Sequence, residues 1–466
     1  MPNVIFDYFT LSYSDLIIKE LQVQHDWKPC LILTGKSKYM SEKFPNSDII
    51  GYFEARRGYY EFSFENELPV DLELLQKLSK YEIVFYDILE RSDPTGHNFS
   101  WRQKKNLFYR QILFWYNYIL ENNIDLVVSW VIPHGTDSYP LYALAKVLNK
   151  RQLILDNSPI FGKYNYCYTS IEDKSSVFST DTKPSSTEID SDIISYLDDL
   201  RKSYDECLPS YMKKKWGVGD YDRFFYIIKQ LLYFFKKNYL LKPSRQKFKS
   251  NYNEYDLKST DFSNLRFFIY KNSFFLRNYL LKRFYNKFCT EFKSDTKYIY
   301  FSASYQPEAT TCPAADRYND QILVLKMLSQ AIPDDFTIYY KEHPTTFWWF
   351  VESHISRNKD YYLQIKSIPK VQLIPTSTDT FQLIDNSVAV ACLSGTVIIE
   401  AIVRGKPAIS FGSSWYDSCS EVFKIIDFKS LTEILNKILN GFVPNYENIL
   451  KFARVVQHIG SCNTHL

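Results

Sequence analysis

The sequence predicts an α/β protein of two layered domains facing each other across a cleft, with a helical connecting insertion between them. Short apolar runs alternate with amphipathic stretches over residues 1–170, the alternation is lost over 171–295, and it returns over 296–466. A chain of 466 residues is also too long for one ordinary core. It suits two domains of roughly 150 to 200 residues plus an insertion.

In the first part, CLILTG (30–35), YEIVFYD (81–87), IDLVVSW (124–130) and RQLILD (151–156) read as buried parallel strands. The stretches 102–123 and 137–150 have the spacing of helices packed on a sheet. In the last part, YIYFSA (298–303), FTIYYK (336–341), VQLIP (371–375), VAVACL (388–393) and PAISFG (407–412) read as five strands. Helices are expected at 319–332, at 379–386, where Asp379 followed by Gln382 predicts a capping box, and at 395–405. Both parts are therefore Rossmann-like. Such sheets take ligands outside the carboxyl ends of their strands, so function is sought in the loops that follow strands.

Hydrophobic residues make up 45% of the chain and charged residues 23%, which excludes a disordered polymer. Eight cysteines are scattered without a CxxC pair or histidines at ligand spacing, so free thiols in a reducing compartment are expected, with no structural zinc. MPNVIFDYFT lacks a basic start followed by an apolar stretch, and no run approaches eighteen apolar residues. The expected location is cytoplasmic. Net charge is only +3, yet residues 213–249 hold eleven Lys and Arg against two Asp, interleaved with aromatic residues. That segment suits an anionic membrane surface or an anionic glycan, and equally a solvated helix pair whose aromatics face the core. No nucleic-acid module accompanies it, so no nucleic-acid partner is expected.

Two constellations follow strands in the last part. Lys341 ends a strand, and His343 follows at once, held on a turn by Pro344; together they offer donors to a phosphate, although a histidine here would also serve as a helix cap. After the strand 388–393 come Ser394, Gly395 and Thr396, then a helix carrying Glu400. Small residues at a strand-to-helix turn let N-H groups and hydroxyls approach an anion, and Glu400 would accept hydrogen bonds from ribose hydroxyls. The competing reading is ordinary turn chemistry with a surface glutamate. In the first part, His134 and Asp137 follow the strand 124–130, while Glu90, Arg91 and Asp93 follow the run 81–87. These are candidates for activating an acceptor hydroxyl or standing near a reacting carbon, or simply for capping helices. DSD (190–192) and DYD (220–222) occur only in the connecting region, so a metal-independent mechanism is expected, with no cofactor.

YFSASYQPEATTCPAADRYNDQ, IYYKEHP and CLSGTVIIEAIVRGKPAISFGSSWY resemble, in order and spacing, the C-terminal half of bacterial capsule polysaccharide synthesis proteins. That group includes Kdo transferases of the GT-B fold, and its KxHP and SGTxxxEAxxxGKP elements are similar to those here over roughly 295–420. The resemblance implies a glycosyltransferase using a CMP-linked acidic sugar, Kdo or a nonulosonic acid, on a growing surface polysaccharide or its lipid-linked acceptor. It implies that His343 and Lys341 contact the nucleotide phosphate, that Ser394 and Thr396 share it, that Glu400 holds the ribose, and that Glu308 faces the donor sugar. PHGTDSYPLYALAK (133–146) is similar to a Pro-His stretch of the same group. By the same resemblance, 1–170 would hold the acceptor and 296–466 the donor. A UDP-sugar 2-epimerase, a CDP-polyol phosphotransferase and a non-catalytic glycan-binding assembly protein are the alternatives on this architecture.

Overall fold

The computed structural model describes residues 1–58, 60–91, 100–157, 165–178, 188–202, 228, 264–306, 308–348, 351 and 353–463. The basic segment 213–249, apart from residue 228, and Asp93 lie outside these described residues.

The described strands form two six-stranded sheets. The first contains β1 (Asn3–Asp7), β2 (Lys28–Thr34), β3 (Asp48–Gly51), β4 (Leu126–Ser129), β5 (Arg151–Asn157) and β6 (Asn165–Tyr168), in the order β3-β2-β1-β4-β5-β6. All of its pairings are parallel except β5 with β6. The second contains β7 (Tyr298–Ser302), β8 (Thr337–Lys341), β9 (Val371–Ile374), β10 (Ala389–Cys392), β11 (Ala408–Ser410) and β12 (Val422–Lys424). Its order is β12-β11-β10-β7-β8-β9, parallel throughout. Both sheets thus have the doubly wound arrangement, with a switch point between β1 and β4 in one and between β7 and β10 in the other. Two Rossmann-like sheets in one chain make this a GT-B architecture, an α/β fold.

The strands are short and apolar because helices cover both faces of each sheet. Val4, Ile5 and Phe6 of β1 and Ile338, Tyr339 and Tyr340 of β8 are almost wholly buried. Long-range contacts join the halves. The helix Tyr446–Asn463 packs back on β6, with Phe452 stacked on Trp415 at 5.8 Å between ring centroids and edge-on to Phe178 at 6.3 Å. One apolar core runs without a break from residues of the first sheet, such as Ile5 and Val127, into Tyr298 and Tyr300 of the second.

The run 81–87 is not a strand. It lies inside a helix, Leu72–Glu90, capped by Asp71, whose side chain accepts from the Leu74 N-H at 2.8 Å. Leu74, Leu78, Tyr81, Phe85 and Ile88 recur at three- and four-residue intervals and are all buried, which is helical spacing. YEIVFYD carries enough apolar residues to pass for a buried strand only when read apart from its flanks. The second sheet also has a sixth strand, β12, which the five expected strands omitted.

The helical assignment has a direct check. Ile83 is 45% exposed whereas Phe85 is fully buried. Ile83→Lys is expected to change stability by no more than about 0.5 kcal/mol, and Phe85→Ala to cost about 3 to 5 kcal/mol, both read by denaturant unfolding. A buried strand would reject the lysine as well.

Candidate functional site

A cavity of about 620 Å³ lies where the two halves meet, at the carboxyl edge of the second sheet and beside its β7/β10 switch point. Glu308, Lys341, His343, Ser394, Gly395, Thr396 and Glu400, scattered over ninety-odd positions, all line it. Its volume is in the range of small-molecule sites.

The end of β8 supplies the first group. Lys341 is buried, and its ammonium donates to the Thr378 carbonyl at 2.6 Å and to Thr380 Oγ1 at 2.7 Å. Burial pulls its pKa down to about 8, against the attraction of Asp379 and Glu400. His343 is the cap of a short 3-10 turn, Pro344–Phe347: its Nδ1 accepts from the Thr345 N-H at 3.2 Å. That bond leaves Nε2 to carry the proton. Burial lowers the imidazole to about 4, so it is neutral at physiological pH and offers a neutral N-H. The helix-cap reading of His343 is therefore correct for one ring nitrogen.

Between them sits Glu342, which the sequence reading passed over. It is fully buried and paired with the fully buried Arg357, whose Nε donates to Oε2 at 2.8 Å. The same carboxylate accepts from Tyr340 and Tyr362 hydroxyls at 2.8 and 3.0 Å, from the His343 N-H at 2.8 Å and from Thr346 Oγ1 at 3.1 Å. Burial alone would raise its pKa, but the guanidinium and these donors hold it below the ordinary carboxylate value. Arg357 continues to Gln306 Oε1 at 2.7 Å and the Ser304 carbonyl at 3.0 Å, so one ion pair fixes the loops after β7 and β8 together. Of the aromatic residues that follow, Phe347 is buried in packing. Phe347 lies against Tyr285 at 5.4 Å, and the Trp348 carbonyl accepts from Asn278 at 2.6 Å; both partners belong to the helix Asn264–Phe288 of the connecting region. Trp349 lies outside the described residues.

The turn after β10 supplies the second group. Ser394 Oγ donates to the Thr310 carbonyl at 2.6 Å, tying this turn to the loop that carries Glu308. Thr396 Oγ1 donates to Glu400 Oε1 at 3.1 Å from the start of the helix Val397–Val403. Gly395 is needed for space, since a Cβ there would lie 2.9 Å from Cys392 Sγ. Glu400 is half-buried, and desolvation raises its pKa to about 7 despite the hydroxyl of Thr396 and the charges of Lys341 and Arg404. Glu308 is exposed and accepts from Thr310 Oγ1 at 2.9 Å.

The candidates of the first half lie elsewhere. Asp137 is buried 3.5 Å from Arg56 Nε, near Asp7, whose carboxyl is pushed up to about 8 by burial and by Asp137. His134 Nδ1 donates to the Ile132 carbonyl at 2.6 Å, and burial lowers its pKa. Glu90 ends a helix rather than following a strand and is paired with Lys104. Its neighbour Arg91 donates to the Cys312 carbonyl, joining the two halves. None of these four is among the described residues that line the cavity. Asp156, at the end of β5, and Lys174, after β6, do line it. Asp156 was legible as a strand-end carboxylate of RQLILD; Lys174 carried no signal.

Arg357→Met is expected to cost about 3 to 5 kcal/mol, because it leaves the Glu342 carboxylate buried without its countercharge. The double variant Glu342→Gln/Arg357→Met should recover part of that loss. Both are read by denaturant unfolding, and recovery is the signature of a coupled pair.

Several known proteins are similar to this chain. A UDP-GlcNAc 2-epimerase of Methanocaldococcus jannaschii is 12% identical, with full coverage of both chains and a TM-score of 0.27. The beta Kdo 2,7 transferase KpsC of Thermosulfurimonas dismutans is 12% identical over 78% of this chain and 87% of its own, with a TM-score of 0.27. The beta Kdo 2,4 transferase of the same organism is 10% identical over 72% and 88%, also at 0.27. At these values none of them transfers its activity to this chain. No curated protein matches the sequence. Residues 310–419, which carry Lys341, His343, the Ser394–Thr396 turn and Glu400, match the family described as capsule polysaccharide biosynthesis protein.

Proposed function

We propose that the protein is a glycosyltransferase of surface-polysaccharide synthesis that takes its sugar from a CMP-linked acidic donor, Kdo or a nonulosonic acid. The observation that carries this reading is the convergence of Glu308 with Lys341, His343, Ser394, Thr396 and Glu400 on one cavity between two Rossmann-like halves, the last five within a segment matching the capsule polysaccharide family. In this reading the Nε2-H of His343 and the ammonium of Lys341 hold the nucleotide phosphate, and Glu400 accepts from the ribose hydroxyls. Charge that develops on the departing phosphate is then met by donors already in place. Glu308 faces the donor sugar. Asp156, the cavity's carboxylate from the first sheet, takes the proton of the acceptor hydroxyl, a role for which Asp137, His134 and Glu90 are less well placed. The acceptor is a glycan or its lipid-linked form. The basic segment 213–249 brings the enzyme to an anionic membrane surface, and neutralising Lys213, Lys214 and Lys215 should lower its sedimentation with anionic vesicles.

The nucleotide site is tested by calorimetry with CMP and UDP. CMP should bind more tightly than UDP, and His343→Ala should weaken CMP about tenfold or more, the worth of a hydrogen bond to a charged group. Unchanged affinity removes His343 from the site. Product from UDP-N-acetylhexosamine without any acceptor would instead favour the epimerase alternative.

Affinity should also follow pH. Glu400 must be ionised to accept, so binding strengthens as pH rises through about 7. Lys341 must be charged, so binding weakens once pH passes about 8, or somewhat higher in the complex, where the phosphate favours the ammonium. His343, at about 4, contributes no limb between pH 5 and 9. Glu400→Gln should abolish the rise near 7 while leaving the nucleotide's own phosphate ionisation, near about 6. A profile identical in the variant refutes the role given to Glu400.

A further inference from the structure

Lys174 is a buried cation that the described residues do not satisfy. Its residue is 8% exposed, and it belongs to the stretch between β6 and the 3-10 turn Ser176–Phe178. The backbone of this stretch is pinned across the cleft: the Lys174 N-H donates to Ser413 Oγ at 3.3 Å, and Ser413 in turn donates its N-H to the Ala314 carbonyl at 2.8 Å. The ammonium lies 5.5 Å from the centre of the Tyr168 ring. Among the described residues it makes no hydrogen bond or ion pair. Asp156 and Asp417 attract it only from a distance, and Asp417 already holds Lys424 at 2.8 Å and the Ser414 N-H at 2.9 Å. The stem is buried while the ammonium faces the cavity without a hydrogen-bond partner among the described residues, a place where an anionic ligand would supply one. Lys174 lines the cavity that also contains Lys341, His343 and Glu400.

We propose that Lys174 is a second anion-recognition group of this cleft, entering from the opposite half to Lys341 and His343, and that it binds the carboxylate of the acidic donor sugar. This rests on the nucleotide-sugar reading of the cavity. The Ser394–Glu400 turn and His343 recognise what all CMP-linked donors share, whereas Lys174 separates acidic sugars from neutral ones. In a nucleoside diphosphate sugar, the second phosphate would present the same anionic oxygens.

The experiment compares wild type with Lys174→Met, which keeps the length of the stem and removes the charge. Dissociation constants are measured for CMP, CMP-N-acetylneuraminate, UDP and UDP-GlcNAc. The variant should lose tenfold or more for the CMP-linked acidic sugar and less than twofold for CMP, with a melting temperature no lower than wild type. A loss on UDP and UDP-GlcNAc instead would overturn the carboxylate assignment in favour of a second phosphate, and equal constants for all four ligands would overturn the anion site altogether. Should wild type bind none of them, the nucleotide reading itself has failed. Lys174 is then judged by acylation followed by mass spectrometry: protection by free N-acetylneuraminate supports the carboxylate site, and no protection by it or by pyrophosphate refutes it.

Discussion

The site depends on a buried ion pair. Glu342 and Arg357 are both wholly removed from solvent, and each spends its remaining hydrogen-bonding capacity on a different part of the cleft. Glu342 holds the backbone of His343 and the hydroxyl of Thr346. Arg357 holds the loop after β7. Two charges taken out of water gain little net stability over an apolar pair of the same shape. What this pair secures is position, because a carboxylate with five donors around it tolerates no other arrangement of the strand end. The Tyr285 hydroxyl, from a helix of the connecting region, accepts from the Glu342 N-H at 3.1 Å, so the region between the sheets is part of the site's support.

On that frame the cavity carries groups whose ionisation is balanced near neutrality. Lys341 is brought down to about 8 and Glu400 up to about 7 by the same cause, loss of water, each moderated by the other's charge. In the proposed role, a phosphate beside Lys341 would favour the charged form of this poorly solvated ammonium. His343 serves as a neutral donor because its other nitrogen is engaged by the turn it caps. In the nucleotide-binding role proposed for this cavity, lysine would supply charge and histidine direction.

The parts of the site that were legible in the sequence are those whose function depends on local chain geometry. KEHP is readable because a proline immediately after a strand holds the preceding residue at the sheet's edge, and SGTVIIE because small residues at a strand-to-helix turn and a glutamate one turn later share a face. Glu342 was passed over because nothing in its neighbourhood announces that Arg357, fifteen residues on, folds back to meet it. Lys174 has no periodic pattern around it at all. The run 81–87 passes for a strand because burial on several sides makes a helix locally apolar, and only the spacing over the whole helix Leu72–Glu90 distinguishes it.

The amino-acid sequence by itself determined the α/β class, eight of the strands near their observed limits, and the seven residues of the second half that converge on the cavity. All but Glu308, which only the family resemblance singled out, follow from apolar periodicity and turn chemistry, which act over a few residues. Only the tertiary structure decided which groups from outside the second half reach that cavity. Asp156 and Lys174 line it while His134, Asp137 and Glu90 do not, because the crossing of the C-terminal helix, the pinning of the Lys174 stretch to Ser413 and the single core shared by both sheets set how one half faces the other. Those contacts join residues hundreds of positions apart, and no local pattern encodes them.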